Sequence, residues 1–308
     1  MCEGEERLIR RRTIGTVNGI IAAASYGLNP LFALPLFARG MGVNSVLFYR
    51  YALAVIIYGL WLKFHKKMSL KIHRGDIIPV FALSLLFSLS SLTLFDAFNY
   101  IEAGIACTIL FIYPILVALM MALFFKEKLT KTVITSILLT FTGIFLLYNG
   151  KPGAPLSMHG IVMVIASAFL YAFYIVGVKT NKTIKNINSA KLSFYVMLFG
   201  LLVYIYNLNF CTELQIPHSP FIWACLFGLS IFPTIISLET ITIAIKLIGS
   251  TTTAILGALE PLTAIVVGML FFEERLTVKI AIGIVLILSG VLLIISKDKL
   301  SHRHHKSE

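Results

Sequence analysis

Hydropathy along the chain repeats one figure, a run of about 20 mostly apolar residues followed by a short polar or charged connection, which is the length a helix needs to cross a bilayer. The runs predict helices, numbered spans 1 to 10, at about 14–36, 44–62, 77–98, 103–125, 132–149, 158–178, 191–210, 221–245, 250–272 and 279–296. The first run follows Arg10, Arg11 and Arg12 and so imitates a signal peptide. It is too long for a signal-peptide core, and nine similar runs follow it, so it stands as span 1. An even number of spans puts both termini on one side of the membrane.

Composition strengthens this reading. The chain is 58% hydrophobic and 13% charged, with a mean hydropathy of +0.91, whereas soluble domains carry about 25% charged residues. No polar stretch is long enough to make the surface of a soluble domain, so the lipid has to act as solvent. The formal charge of +12 sits in short clusters between the apolar runs, which fits loops facing an anionic inner leaflet rather than nucleic acid. Cys2, Cys107, Cys211 and Cys225 show neither CxxC nor metal-ligand spacing, so no metal or disulfide role is expected.

Charge also assigns the sides. With the termini inside, five of the 26 Lys and Arg residues, namely Arg39, Arg50, Lys151, Arg275 and Lys279, are left for the outer side, and the rest fall inward. Both termini are therefore expected in the cytoplasm, with segments 1–13 and 297–308 flanking the membrane region.

The chain repeats itself. LFFKEKLT, from Leu123 to Thr130, returns as LFFEERLT from Leu270 to Thr277, six of eight positions identical at an offset of 147. The same offset aligns Pro114 with Pro261 and Gly143 with Gly290, and an offset of 145 aligns Gly15 and Tyr26 with Gly160 and Tyr171. The units are 14–149 and 158–296, five spans each. An odd span count forces the second copy to enter the membrane the other way round. The turn charges agree, since Lys126, Glu127, Lys128 and Lys131 sum to a positive inner turn, while Glu273, Glu274, Arg275 and Lys279 cancel. The expected fold is thus an all-α integral membrane protein of ten transmembrane helices in two inverted five-helix repeats. Two such units can expose one central site alternately to either side, the architecture of a carrier.

Span 4, AGIACTILFIYPILVALMMALFFKEKLT, and span 9, GSTTTAILGALEPLTAIVVGMLFFEERLT, resemble the drug/metabolite transporter superfamily, in particular EamA-type permeases with two EamA domains. The resemblance runs from about Thr13 to Ser296. It implies a ten-helix carrier with cytoplasmic termini, peripheral spans 5 and 10, and a cavity lined by spans 1, 3, 4, 6, 8 and 9. Members move amino acids, other metabolites, sugars, nucleotide sugars or drugs, and many bacterial ones export. No cofactor is implied. The short loops point to a bacterial cytoplasmic membrane.

A charge at mid-span costs about 2.5 to 3.5 kcal/mol on insertion scales, so each one needs a partner or water. Four are predicted inside spans: Arg50, Asp96, Glu239 and Glu260. Glu260 precedes Pro261, whose missing N–H frees the carbonyl of Gly257 and permits a kink. Glu260 then reads either as a substrate or proton site or as part of a structural Glu-Pro pattern similar to that of EamA proteins. Its counterpart Tyr113, before Pro114, offers a hydroxyl and an aromatic face, or simple packing. Arg50 and Asp96 share the outer-leaflet depth, where an ion pair would offset their insertion cost. Asp96 has a second reading as an outer gate or amine contact. Glu239 is either an inner gate or proton site, or is neutralised by Lys246 two turns on. Asn29 beside Pro30, with Tyr26, Tyr171 and Tyr174, completes the candidate cavity set, the tyrosines standing otherwise as core or interfacial aromatics. Pro114 and Pro261 are the expected hinges.

The seven histidines fall in loops, tails or at a helix end, so no HExxH or buried Ser-His pair supports catalysis. A channel would need a ring of carbonyls or charges, usually from several subunits, and a receptor gains nothing from antiparallel duplication. The sequence therefore predicts a secondary-active transporter of small amphipathic or zwitterionic metabolites, with proton exchange at Glu260, Glu239 or Asp96 as one coupling. The alternatives are a passive facilitator or a membrane receptor. One chain suffices for transport. Substrate, direction and oligomeric state are left open.

Overall fold

The computed structural model describes residues 2–101, 103–147, 157–271 and 277–304, and all regular structure among them is helical. Eight of its helical runs are long and apolar enough to cross a membrane: Glu6–Ala38, Val43–His65, Arg74–Ala97, Met158–Thr180, Ser189–Asn207, Pro220–Ile248, Ser250–Val267 and Val278–Ser296. Shorter apolar helices, Tyr113–Phe125 and Lys131–Leu147, occupy the places of spans 4 and 5. The first helix, Cys2–Tyr26, and the last, Val278–His304, continue through much of the segments read as flanks. The charged turn at residues 272–276, with Glu273, Glu274 and Arg275, and the outer Lys151 lie outside the described residues.

Several spans depart from single helices, each near a proline. Span 4 is divided into Ala103–Leu110 and Tyr113–Phe125, and span 9 into Ser250–Leu256 and Leu259–Phe271. The breaks fall within one residue of equivalent positions, just before Pro114 and Pro261. Where a kink was expected at Pro261, the helix instead stops, because the Gly257 carbonyl takes the N–H of Glu260 at 2.9 Å in a tighter turn. Span 1 also breaks, between Tyr26 and Asn29 and just ahead of Pro30, whereas span 6, with no proline there, runs unbroken from Met158 to Thr180. Span 8 widens into a π-helical stretch at Ile231–Ile236 around Pro233.

The packing has two-fold pseudosymmetry. Spans 2 and 7, 4 and 9, and 5 and 10 pack against each other, while span 3 meets spans 6 and 7 as span 8 meets spans 1 and 2. Single residues obey the same operator. A side chain at Gly143 would strike the Gly283 carbonyl and Ile287, and one at Gly290 would strike the Ser136 carbonyl and Thr140; the partners are related by the same 147 residues. Gly160 presses on Tyr100 and Ile101, as its mate Gly15 presses on Leu247 and Ile248. The Ser90 hydroxyl donates to the Ser167 carbonyl at 3.0 Å, and its mate Ser237 donates to the carbonyl of Ala22, the mate of Ser167, also at 3.0 Å. Close backbone approach at small residues and hydroxyl bonds between helices are how spans associate in lipid, where apolar burial gives little net drive. A two-fold relation of this kind between the halves is the one that inverted repeats have, with the axis in the membrane plane. The chain is an all-α membrane protein of two inverted repeats.

Spans 5 and 10 form a pair at the edge of the bundle, with Leu138, Phe145, Val285 and Leu292 exposed. Apolar surface of this extent suits lipid contact rather than water. The loops separate by end. Arg11, Lys179, Lys185 and Lys246 converge on one hollow and Lys71, His73 and Lys191 on another, all from segments read as inner. From segments read as outer, Gln215 accepts from the Gly42 N–H at 2.6 Å, and Arg39 lies over the Phe221 ring.

Candidate functional site

At the middle of the bundle, spans 1, 4, 6, 8 and 9 enclose a cavity of about 10 Å³, room for about one water. Its walls include Gly19, Ala22, Ala23 and Tyr26 from span 1, Tyr113 from span 4, Tyr171 from span 6, Ser237 and Ile241 from span 8, and Thr253, Gly257 and Glu260 from span 9. Four residues singled out in the sequence, Tyr26, Tyr113, Tyr171 and Glu260, thus meet at one place.

Its geometry follows from the repeats. Tyr26 and its mate Tyr171 stack on each other, with ring centroids 6.4 Å apart and planes 11° from parallel. Tyr113 meets Tyr171 edge-on at 4.9 Å. The Tyr113 hydroxyl lies so close to Gly257 that a Cβ there would sit 1.7 Å from it; the breaks in spans 4 and 9 therefore face each other through one tyrosine and one glycine. Gly27, at the break in span 1, is packed just as tightly, since a Cβ would lie 2.4 Å from the Glu260 carbonyl oxygen and 2.8 Å from the Thr263 Cβ. Glu260 itself is half-buried at the start of Leu259–Phe271, where its carboxylate suits a helix N-terminus.

Tyr174 stands one shell out. It stacks on Tyr171 at 6.3 Å, meets Phe87 of span 3 at 5.0 Å and is fully buried with its hydroxyl 3.5 Å from that of Thr242. Span 3, expected as a wall, reaches the cluster through Phe87 behind the tyrosines. Asn29 is buried beside the break in span 1, off the cavity wall, and neither its amide nitrogen nor its oxygen has a partner among the described residues.

The two remaining acids are elsewhere. Asp96 ends span 3 and accepts from the Asn99 amide at 3.1 Å. Arg50, expected to pair with it, turns the other way: its Nε donates to Thr234 Oγ1 at 2.6 Å and its Nη2 to the Pro233 carbonyl at 3.0 Å. Depth along a span is legible from sequence, but azimuth is not, and Arg50 faces span 8. Glu239 pairs with Lys66 at 3.4 Å rather than with Lys246, whose ammonium donates to the Ile187 carbonyl. Among the described residues no His, Cys, Asp and Glu cluster could hold a metal.

Sequence reasoning missed Ser237, which lines the cavity while bridging to Ala22, and Thr253, and it named Gly257 only for the carbonyl that Pro261 frees and not as part of the wall.

The EamA-like transporter family profile matches residues 13–149 and 158–296. Uncharacterized transporter YcbK of Bacillus subtilis is 24% identical over 288 residues, 91% of this chain and 92% of that one. Uncharacterized transporter YxxF of the same organism is 24% identical over 253 residues, 81% and 80% of the two chains. The uncharacterized inner membrane transporter YicL of Salmonella typhimurium is 25% identical over 287 residues, 91% and 94% of the two. One crystal structure superposes with a TM-score of 0.76 over 92% of this chain and 96% of its own, at 16% identity, a likeness of fold.

Proposed function

Because the chain belongs to the EamA-like transporter family, a family of membrane transporters rather than enzymes, we propose that it is a secondary-active carrier of small organic solutes that works by alternating access. The observation that carries this reading is the stacking of Tyr26 on Tyr171, its mate in the other repeat, over a cavity walled by Glu260. A site built from equivalent residues of two inverted units is reached from one face when one unit adopts its first conformation and from the opposite face when the units exchange conformations. At about 10 Å³ the cavity is too small for an organic solute, so loading requires the spans around it to part. The breaks at Phe111–Ile112 and Gly257–Ala258 supply the joints, with Pro114 and Pro261 preventing helical continuity across them.

Aromatic faces, five hydroxyls and one carboxylate favour an amphipathic or zwitterionic solute over a polyanion. Glu260 is the coupling group in this reading: it exchanges a proton for solute as the site changes sides. Asp96 and Glu239 stand in other surroundings, tied to Asn99 and Lys66, and serve at the two ends. The cytoplasmic membrane, with both termini inside, is the setting that the distribution of basic residues supports.

The test is uptake of a pool of small organic solutes by proteoliposomes with and without an imposed pH gradient. Accumulation above the external concentration, driven by the gradient, is expected. Movement only down a solute gradient would make the protein a facilitator, and accumulation indifferent to pH would remove the proton.

A further inference from the structure

We propose that the guanidinium of Arg50 is the anchor for a carboxylate borne by the transported solute, an assignment that rests on the carrier reading above. Arg50 has no exposed surface. Two of its nitrogens bind neutral acceptors on span 8, Thr234 Oγ1 and the Pro233 carbonyl, and the third, Nη1, has no partner. No carboxylate of a described residue lies within ion-pair distance of it. The rings of Phe95, Tyr26 and Tyr51 stand 5.4, 5.9 and 6.0 Å from its central carbon. A permanently charged group held in this way is among the costliest things a membrane protein can bury without a counter-charge.

The holder is built for it. Pro233 cannot donate to the Leu229 carbonyl, and the Thr234 hydroxyl donates there instead, at 2.8 Å, leaving its oxygen free to accept from Arg50 Nε. π-Helical stretches of this sort collect at functional sites. Two nitrogens are thereby fixed and one edge of the fork is left over, which matches the planar, two-oxygen face of a carboxylate. A phosphate would call for further buried cations, and no other Lys or Arg is fully buried among the described residues.

The guanidinium is next to the transport cavity. Tyr26 lines the cavity and lies beside Arg50, its ring centroid 5.9 Å from the guanidinium carbon, so one ring is shared between the cation and the cavity. Tyr26 is also the last residue before the break in span 1. Bending at Gly27–Leu28 swings the ring aside and opens Nη1 to a solute already in the cavity, whose carboxylate then supplies the missing counter-charge. A purely structural Arg50 would tie span 2 to span 8 and show no preference among solutes.

The experiment compares uptake by wild-type proteoliposomes of a panel of L-amino acids with uptake of the same compounds as their C-terminal amides. The acids are expected to exceed the amides by at least about tenfold, the usual worth of a hydrogen bond to a charged group. Arg50→Gln should level the two. Thr234→Val, which cuts the tether but keeps the cation, should preserve the preference. Where Arg50→Gln fails to fold, the acid-to-amide ratio of the wild type decides. Equal uptake of acids and amides, or transport confined to solutes without a carboxylate, overturns the anchor and leaves the carrier standing. If no solute of any kind is moved, the carrier reading falls and the anchor with it.

Discussion

Glu260→Gln is expected to reduce proton-driven accumulation in proteoliposomes by at least about a hundredfold, to the level of vesicles without protein, while leaving the fold intact. The two halves of that expectation have separate causes. A neutral amide at mid-span removes an insertion cost of about 2.5 to 3.5 kcal/mol, so thermal stability in detergent should hold or rise. A group that stays neutral at every pH cannot take up a proton on one side and release it on the other, so concentrative transport is lost. Exchange of solute for solute, which needs no net proton movement, should persist and lose its dependence on pH. Glu260 stands among Tyr26, Tyr113 and Tyr171 at the centre of the bundle, so a loss confined to coupling would place proton exchange at the site where the repeats meet. Full accumulation by the variant would remove Glu260 from the chemistry and leave it as part of the Glu-Pro break.

Gly27→Val is the second change with a large expected effect, and here the cause is steric. The nearest neighbour of a new Cβ is a backbone atom, the Glu260 carbonyl oxygen at 2.4 Å, with the Thr263 Cβ at 2.8 Å behind it. Backbone cannot turn aside as a side-chain tip can, so span 1 must move off span 9. Overpacking of this kind costs about 1 to 3 kcal/mol. It should lower the unfolding midpoint in detergent and, by parting Tyr26 from the cavity wall, reduce transport more than stability. Gly75→Ala is the control. It lies in the first turn of Arg74–Ala97, and its Cβ would meet nothing closer than 3.6 Å, so no loss is expected there. Equal behaviour of the two variants would mean that the close approach of spans 1 and 9 is not needed.

The duplication was legible because it is written in residues that pack: Gly143 and Gly290 align at 147 residues, and the structure places them at equivalent points of the contact between spans 5 and 10. Spans were legible because length and apolarity determine them. What a proline does to a span was only half legible. Pro261 announces a lost hydrogen bond, yet whether the chain kinks or stops depends on whether a nearby N–H, here that of Glu260, can take the orphaned carbonyl. Direction around a helix was the least legible. Arg50 and Asp96 share a depth, which made them look like partners, but Arg50 faces Thr234, 184 residues away. Glu239 and Lys246 share a helix face, yet Lys66 from the end of span 2 takes the carboxylate. In both cases the deciding contact lies in the other repeat, and hydropathy contains no term for it. Arg50 consequently read as half of an ion pair, whereas the structure ties it to span 8 and leaves its Nη1 without a partner among the described residues.

Antiparallel insertion of the two halves is tested most directly by where equivalent residues emerge. Lys131 and Val278, related by 147 residues, begin spans 5 and 10, and both are exposed. Introduced singly as Lys131→Cys and Val278→Cys into a protein without its own cysteines, they are to be treated in intact cells with a membrane-impermeant thiol reagent. Labelling of position 278 from outside, with position 131 labelled only after the membrane is opened, is the predicted result. Labelling of both from the same face would contradict the inverted repeat and everything built on it.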